Sequence, residues 1–338
     1  MADFLNRLLR PLFKLIFLKL YPPLSWREKI LWFFSKNYFI NGTVDLLRTT
    51  TELSKNGYFV FWNHCAEDAE TFDDINNSYN FYLYFIECAK SIGRAPYVTL
   101  SLKMSQFGCF NQNKAGAGLG KYFLEMIIDF ASGAGMTVML DGERLVYAEA
   151  VADFARKMNE KYANTGVRLQ AYNPKFKELL DEIFFWNSLT KASLPLGFCK
   201  GAYNELPAVS AAATRENMIK GVRACYDKIC PVSLDTNDHR LANEISLGIL
   251  PRAPFGRPRP TFGLLYNVKP WLARQLKERG EIVRIYLPVI TGDQDRHGVP
   301  ARGQWEKFAI RRLIERPVYI LMPLKTFMDK ILLRKDYF

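Results

Sequence analysis

The sequence predicts an α/β fold, a (β/α)8 TIM-type barrel with an N-terminal helical extension, and three observations lead there. Short apolar runs rich in Val, Ile, Leu, Phe and Tyr alternate with helix-period stretches eight times from Tyr58 onward. The eight units occupy about 260 residues, the usual size of such a barrel. The apolar runs close on polar or aromatic residues, at the end of each strand where a parallel barrel carries its chemistry.

The runs are 58–64, 97–103, 136–143, 167–172, 194–203, 230–238, 261–267 and 284–290. The acidic, aromatic segment 67–91 follows the first run, and helices are expected over 119–132, up to Tyr162, and after Pro174, a residue suited to a helix's first turn. Further helices are expected over 215–228, 240–247 and 269–279, and the last unit's helix carries Arg311 and Arg312. An open doubly wound sheet would place a glycine-rich turn directly after its first strand. The glycine-rich run here, KAGAGLGK at 114–121, lies beyond the second strand and lacks Walker spacing, so it reads as a loop and helix start. The expected organisation is an amphipathic helical extension over 1–57, the barrel over 58–316 and a basic apolar tail over 317–338.

A chain of 338 residues with 49% hydrophobic content can bury a large core, which excludes disorder as its main state. The formal charge of +12 favours an anionic partner such as an acidic membrane surface or an anionic cofactor. No basic block with interleaved aromatics stands out, which argues against nucleic acid. The six cysteines have no CxxC spacing and read as reduced, buried thiols of a cytoplasmic protein. Three histidines without paired spacing argue against a metal site. Residues 4–20 are apolar but interrupted by Arg7, Arg10, Lys14 and Lys19, which is unsuited to spanning a bilayer. No cleavage site follows, so the segment either lies in the membrane interface, as a peripheral contact on the inner face, or packs on the barrel.

The candidate mouth of the barrel is formed by His64, Lys103, Asp141, Gln170, Lys200, Tyr203, Thr236, Asn237, Asp238 and Tyr266. Lys103 and Asp141 close neighbouring apolar runs, and buried charges need partners, so these two are expected to neutralise each other. Arg311 and Arg312 fit either a solvated helix face or a bidentate clamp for a carboxylate or phosphate. Two chemistries suit the set: a lysine Schiff base of the aldolase kind, or a flavin or phosphate-bearing ligand held by Lys200, Thr236 and Gln170. The pattern alone leaves both open.

The ordered motifs SLK (101–103), LD (140–141), LQAY (169–172), KGAY (200–203), LLY (264–266), RIYLPV (284–289) and RRLIE (311–315) resemble the proline dehydrogenase family. The resemblance covers 58–316 and implies FAD-dependent oxidation of L-proline to 1-pyrroline-5-carboxylate, with electrons passing to a membrane quinone. It implies that Arg311 and Arg312 bind the proline carboxylate, that Tyr286 packs on the ring, and that Tyr203 helps close the pocket. It also implies a Lys103–Asp141 ion pair beside the substrate, with Gln170, Lys200, Thr236, Asn237 and Glu315 on the cofactor side. Two positions depart from the family pattern. Gly197 stands where an arginine near the flavin is usual, a lost cation that should make the flavin harder to reduce, and Asn237 stands where a histidine is usual. Alternatives are oxidation of another cyclic amino or imino acid, and a ligand-binding pseudoenzyme without flavin.

Overall fold

The computed structural model describes residues 39–111, 114–190, 193–201, 208–249 and 259–290. A two-residue strand, β1 (Ile40–Asn41), comes first and is followed by α1 (Gly42–Lys55). The barrel strands are β2 (Phe59–His64), β3 (Val98–Leu102), β4 (Thr137–Leu140), β5 (Thr165–Gln170), β6 (Leu196–Cys199), β7 (Val232–Asp235), β8 (Thr261–Leu265) and β9 (Ile282–Ile290). Each pairs parallel with its successor, and β9 pairs with both β8 and β2, which closes the barrel. All eight expected strands are present in the expected order.

Between them lie α2 (Phe72–Ser91), α3 (Lys114–Gly133), α4 (Ala148–Tyr162), α5 (Phe176–Leu189), α6 (Ala211–Asp227), α7 (His239–Asn243) and α8 (Pro270–Glu278). A π-helical turn, Glu244–Ile249, extends α7. Thr71 starts α2 with a reciprocal capping box on Asp74, which satisfies two otherwise free backbone donors. β1 lengthens the sheet through Val289 and Ile290 of β9, and Leu46 and Leu53 of α1 join the main core. The described part of the 1–57 segment therefore packs on the barrel; residues 1–38 and the 317–338 tail lie outside the described residues.

Strand side chains alternate, and here the two faces differ sharply in chemistry. Outward residues such as Val60, Trp62, Leu100, Leu102, Val138, Leu140, Phe198, Leu234, Ile285 and Leu287 are buried against helix residues including Leu124, Ile127, Ile128, Met218, Val222 and Leu276. This annulus between strands and helices is the hydrophobic core. The inner face carries Ser101, Arg168, Ser233 and Asp235 along with Phe61, Met139, Arg284 and Tyr286, so the lumen is polar and charged.

The run at 114–121 corrects the expected loop: α3 begins at Lys114 and takes in the whole of it. Of its glycines, Gly120 is the one that packing requires. A Cβ on Gly120 would lie 1.8 Å from the backbone oxygen of Phe107, whereas one on Gly118 would meet nothing within 4 Å. Gly120→Ala should thus cost about 3 kcal/mol through forced displacement of the Phe107 turn. Gly118→Ala should stabilise by up to ~1 kcal/mol through helix propensity. Urea unfolding of the two variants side by side checks the pair; equal effects would contradict this packing.

Candidate active site

The centre of the lumen is an ionic bridge across the barrel. Arg168, on the inner face of β5, donates through Nη1 to Asp141 at the end of β4. Its Nε donates to Asp235 Oδ2 on β7 at 2.5 Å. Asp141 also accepts from Ser101 Oγ at 2.5 Å and from the Tyr286 hydroxyl at 3.2 Å. The Arg168 guanidinium lies over the rings of Phe61 and Tyr286, 4.9 and 5.7 Å from their centroids. Burial opposes the charge on Arg168, but Asp235 and its other neighbours more than offset it and raise its pKa. Burial raises the Tyr286 phenol despite the nearby Arg168, so this hydroxyl stays a donor.

The expected Lys103–Asp141 pair is replaced. Lys103 Nζ pairs with Glu67, both side chains being less than a tenth exposed, while Asp141 is taken by Arg168. The physical reason is reach: Glu67 lies on the loop after β2, and Gln106 pins that loop beside Lys103. Gln106 Nε2 donates to His64 O at 2.7 Å and Ala66 O at 2.8 Å, and its Oε1 accepts from the Lys103 amide at 3.1 Å.

Across the mouth, Lys200 Nζ pairs with Asp238 Oδ2 at 2.6 Å, and Asp238 Oδ1 caps α7 by accepting from Arg240 N and Leu241 N. Burial pushes the Asp238 carboxyl up, but Lys200 and the two amides outweigh it and hold it at about 2. Thr236 Oγ1 accepts from the Asp238 amide at 3.1 Å. The Asn237 side chain accepts from Leu265 N at 3.1 Å, so its carbonyl ties β7 to β8. Gln170 Nε2 reaches Gly142 O at 3.4 Å. Tyr203, Arg311, Arg312 and Glu315 lie outside the described residues.

Lys103, Asp141, Gln170, Lys200, Thr236, Asn237 and Tyr286 are thus all placed at or inside one end of the barrel. Arg168, Asp235 and Ser101, inside apolar runs, Arg284, at the start of one, and Glu67, in the loop after β2, do not close a run and so were not among the expected site residues. An available signal was the charge inside the apolar run TGVRLQ, since a charge in a buried strand needs a partner. Among the described residues, four buried polar atoms on the inner face lack a hydrogen-bond partner: Arg168 Nη2, Ser233 Oγ, Asp235 Oδ1 and Arg284 Nε. Burial also lowers the Arg284 guanidinium to about 10. Such a mixture of unmatched donors and acceptors suits a ligand with both kinds of group on its edge.

The family model described as proline dehydrogenase matches residues 46–218, just over half of the chain. The chain belongs to the proline dehydrogenase family. A proline dehydrogenase from Deinococcus radiodurans is 26% identical over 284 residues, covering 82% of this chain and 78% of that protein. Among solved structures, proline utilization A (PutA) from Bdellovibrio bacteriovorus, inactivated by N-propargylglycine, aligns with a TM-score of 0.70 at 14% identity, covering 90% of this chain and 34% of that one. A mutant PutA from Bradyrhizobium japonicum aligns with a TM-score of 0.64 at 18% identity, covering 84% and 31%. At these identities the structural likeness concerns the fold, and the chain spans about a third of the length of those PutA chains.

Glu143, two residues beyond Asp141, supplies a measurable property of the mouth. Its Oε1 accepts from Ser105 N at 3.0 Å. Burial raises its carboxyl from 4.5 to about 7, with Ser105 and Lys103 opposing and Glu67 reinforcing. A folded-state pKa above the unfolded one gives stability that is complete below the unfolded value and lost as pH rises through the folded value. Glu143 should therefore favour the fold below about pH 4.5 and lose that contribution, on the order of 3 kcal/mol, as pH rises through about 7. Glu143→Gln should flatten this part of the stability–pH curve, as read by urea unfolding at a series of pH values.

Proposed function

We propose that the protein oxidises L-proline to 1-pyrroline-5-carboxylate with FAD as cofactor, in a barrel over 58–316 flanked by an N-terminal extension (1–57) and a basic tail (317–338). The observation that carries this reading is the Asp141–Arg168–Asp235 bridge, with Ser101 and Tyr286 bonded to it, at the end of a barrel belonging to the proline dehydrogenase family. FAD, when bound, would supply the acceptor for the hydride leaving the ring carbon next to nitrogen.

The residues of this chain do the positioning. Arg311 and Arg312 are proposed to hold the substrate carboxylate, a task suited to two forked guanidiniums. Tyr286 offers its ring face to the proline ring while its hydroxyl is anchored on Asp141, and Tyr203 is proposed to help close the pocket. Lys103, locked to Glu67, keeps a buried positive charge at the rim, and Asp141 holds the Tyr286 and Arg168 side chains in place. Gln170, Lys200, Thr236, Asn237 and Glu315 are proposed for the cofactor side. The unmatched Arg168, Ser233, Asp235 and Arg284 atoms fit a ring system that presents both N–H and carbonyl groups along its edge.

A membrane quinone is the proposed electron acceptor, with the protein cytoplasmic and the basic, apolar termini as its route to the inner face of the membrane. Among the described residues no helix is long and apolar enough to cross a bilayer.

The test is direct. Purified protein given FAD should show flavin absorption bands that bleach with L-proline, and should reduce a dye in a proline-dependent way. Tyr286→Phe keeps the ring but loses the bond to Asp141, and should lower kcat/KM about tenfold, or ~1.4 kcal/mol. Protein that stays colourless with excess FAD and gives no dye reduction would overturn the reading in favour of a ligand-binding pseudoenzyme.

A further inference from the structure

We propose that Arg168 is the fixed cation of the binding lumen, that Gly197 is the side-chain-free position that lets it cross to Asp235, and that this matched pair sets the reduction potential of the bound flavin. The proposal rests on the flavin reading above, and deepens it.

The two positions face each other on neighbouring strands, Arg168 of β5 in register with Gly197 of β6. To reach Asp235 on β7, the Arg168 side chain must pass the inner face of β6. A Cβ on Gly197 would stand 3.0 Å from Ser233 Oγ, 3.4 Å from Asp235 Oδ2 and 3.5 Å from Arg168 Cγ. Any longer side chain there would contest the space that the Arg168–Asp235 bond occupies. Glycine at 197 and arginine at 168 are therefore parts of one arrangement.

That arrangement leaves the charge nowhere else to go. Carboxylates hold the guanidinium at both ends, the rings of Phe61 and Tyr286 lie against it, and the side chain is only 6% exposed. One nitrogen, Nη2, is buried and finds no partner among the described residues. A fixed, desolvated N–H of a cation is a strong electrostatic element, because little solvent screens it and nothing must reorganise when charge develops nearby. A flavin gains negative charge as it takes up electrons. Without Arg168, Asp141 and Asp235 would lose the cation that bonds them both, and the negative charge left behind would disfavour that gain.

The experiment moves the charge. Arg168→Met removes it, and the double variant Arg168→Val/Gly197→Arg shifts it one strand over into the space the arginine has left. Spectroelectrochemistry on the flavin-loaded proteins should show the two-electron reduction equilibrium at least tenfold less favourable in Arg168→Met, about 30 mV lower. The double variant should recover to within roughly threefold of the parent, as coupled neighbours do in a double-mutant cycle. A purely structural role for Arg168 would lower Tm without moving the potential. A flavin-loaded Arg168→Met with the parent potential, or a double variant no closer to the parent than Arg168→Met, would overturn the proposal. If Arg168→Met does not fold, the double variant decides alone: a folded protein with the parent potential supports the pairing, and a shifted potential or a second failure to fold refutes it. A parent protein that binds no flavin sinks the flavin reading as well, whereas a yellow parent indifferent to position 168 sinks this proposal only.

Discussion

The ionic bridge from Asp141 through Arg168 to Asp235 is the constraint around which the inner face of the barrel is arranged. A guanidinium in the middle of a barrel strand is costly to bury unless carboxylates match its charge, because removing one partner of a buried pair costs about 3–5 kcal/mol. The sequence around it answers that requirement. Gly197 clears the path to Asp235, and Gly263 clears the carboxylate itself, since a Cβ there would fall 2.0 Å from Asp235 Oδ1. Ser101 and Tyr286 complete the coordination of Asp141 from β3 and β9. Five strands thereby contribute to one polar network, while their outward neighbours pack the apolar annulus.

The mouth shows the same physics at two levels of burial. Lys103–Glu67 is shut away from solvent, and Gln106 fixes the loop that bears the glutamate. Lys200–Asp238 is about a third exposed on each side and does more as an α7 cap than as a buried charge pair. One side of the entrance is thus rigid and desolvated, the other open to screening. A substrate that must be held dry and a cofactor that is far larger make different demands of this kind, and the asymmetry suits the division proposed for them. The Gly197 departure from the family pattern also takes on a physical meaning, since the neighbouring strand supplies a guanidinium at that level.

Much of the architecture was legible because it follows from periodicity. Eight apolar runs of strand length, each followed by a helix-period stretch, leave few arrangements besides a closed parallel barrel, and every run became a strand. Polar residues closing those runs, including Lys103, Asp141, Gln170, Lys200 and Thr236, gather at one end of the barrel for the same reason. Ion-pair partners were not legible. Lys103 and Asp141 close neighbouring runs, but sequence order says nothing of which loop carboxylate reaches the ammonium or which strand arginine reaches the aspartate. Nor could a glycine-rich run declare itself helical, since only the Phe107 backbone oxygen opposite Gly120 explains why a side chain is missing there.

By itself, then, the sequence determined the eight barrel strands, their order, the end of the barrel where polar residues gather and the family whose motifs fill it. These depend on side-chain pattern along the chain, which is local information. The tertiary structure decided that Arg168 points into the lumen, that it joins Asp141 to Asp235 from strands far apart in sequence, and that Gly197 is the gap it passes. Those facts depend on strand register and on the barrel's closure, through which residues 67 positions apart come within hydrogen-bonding distance.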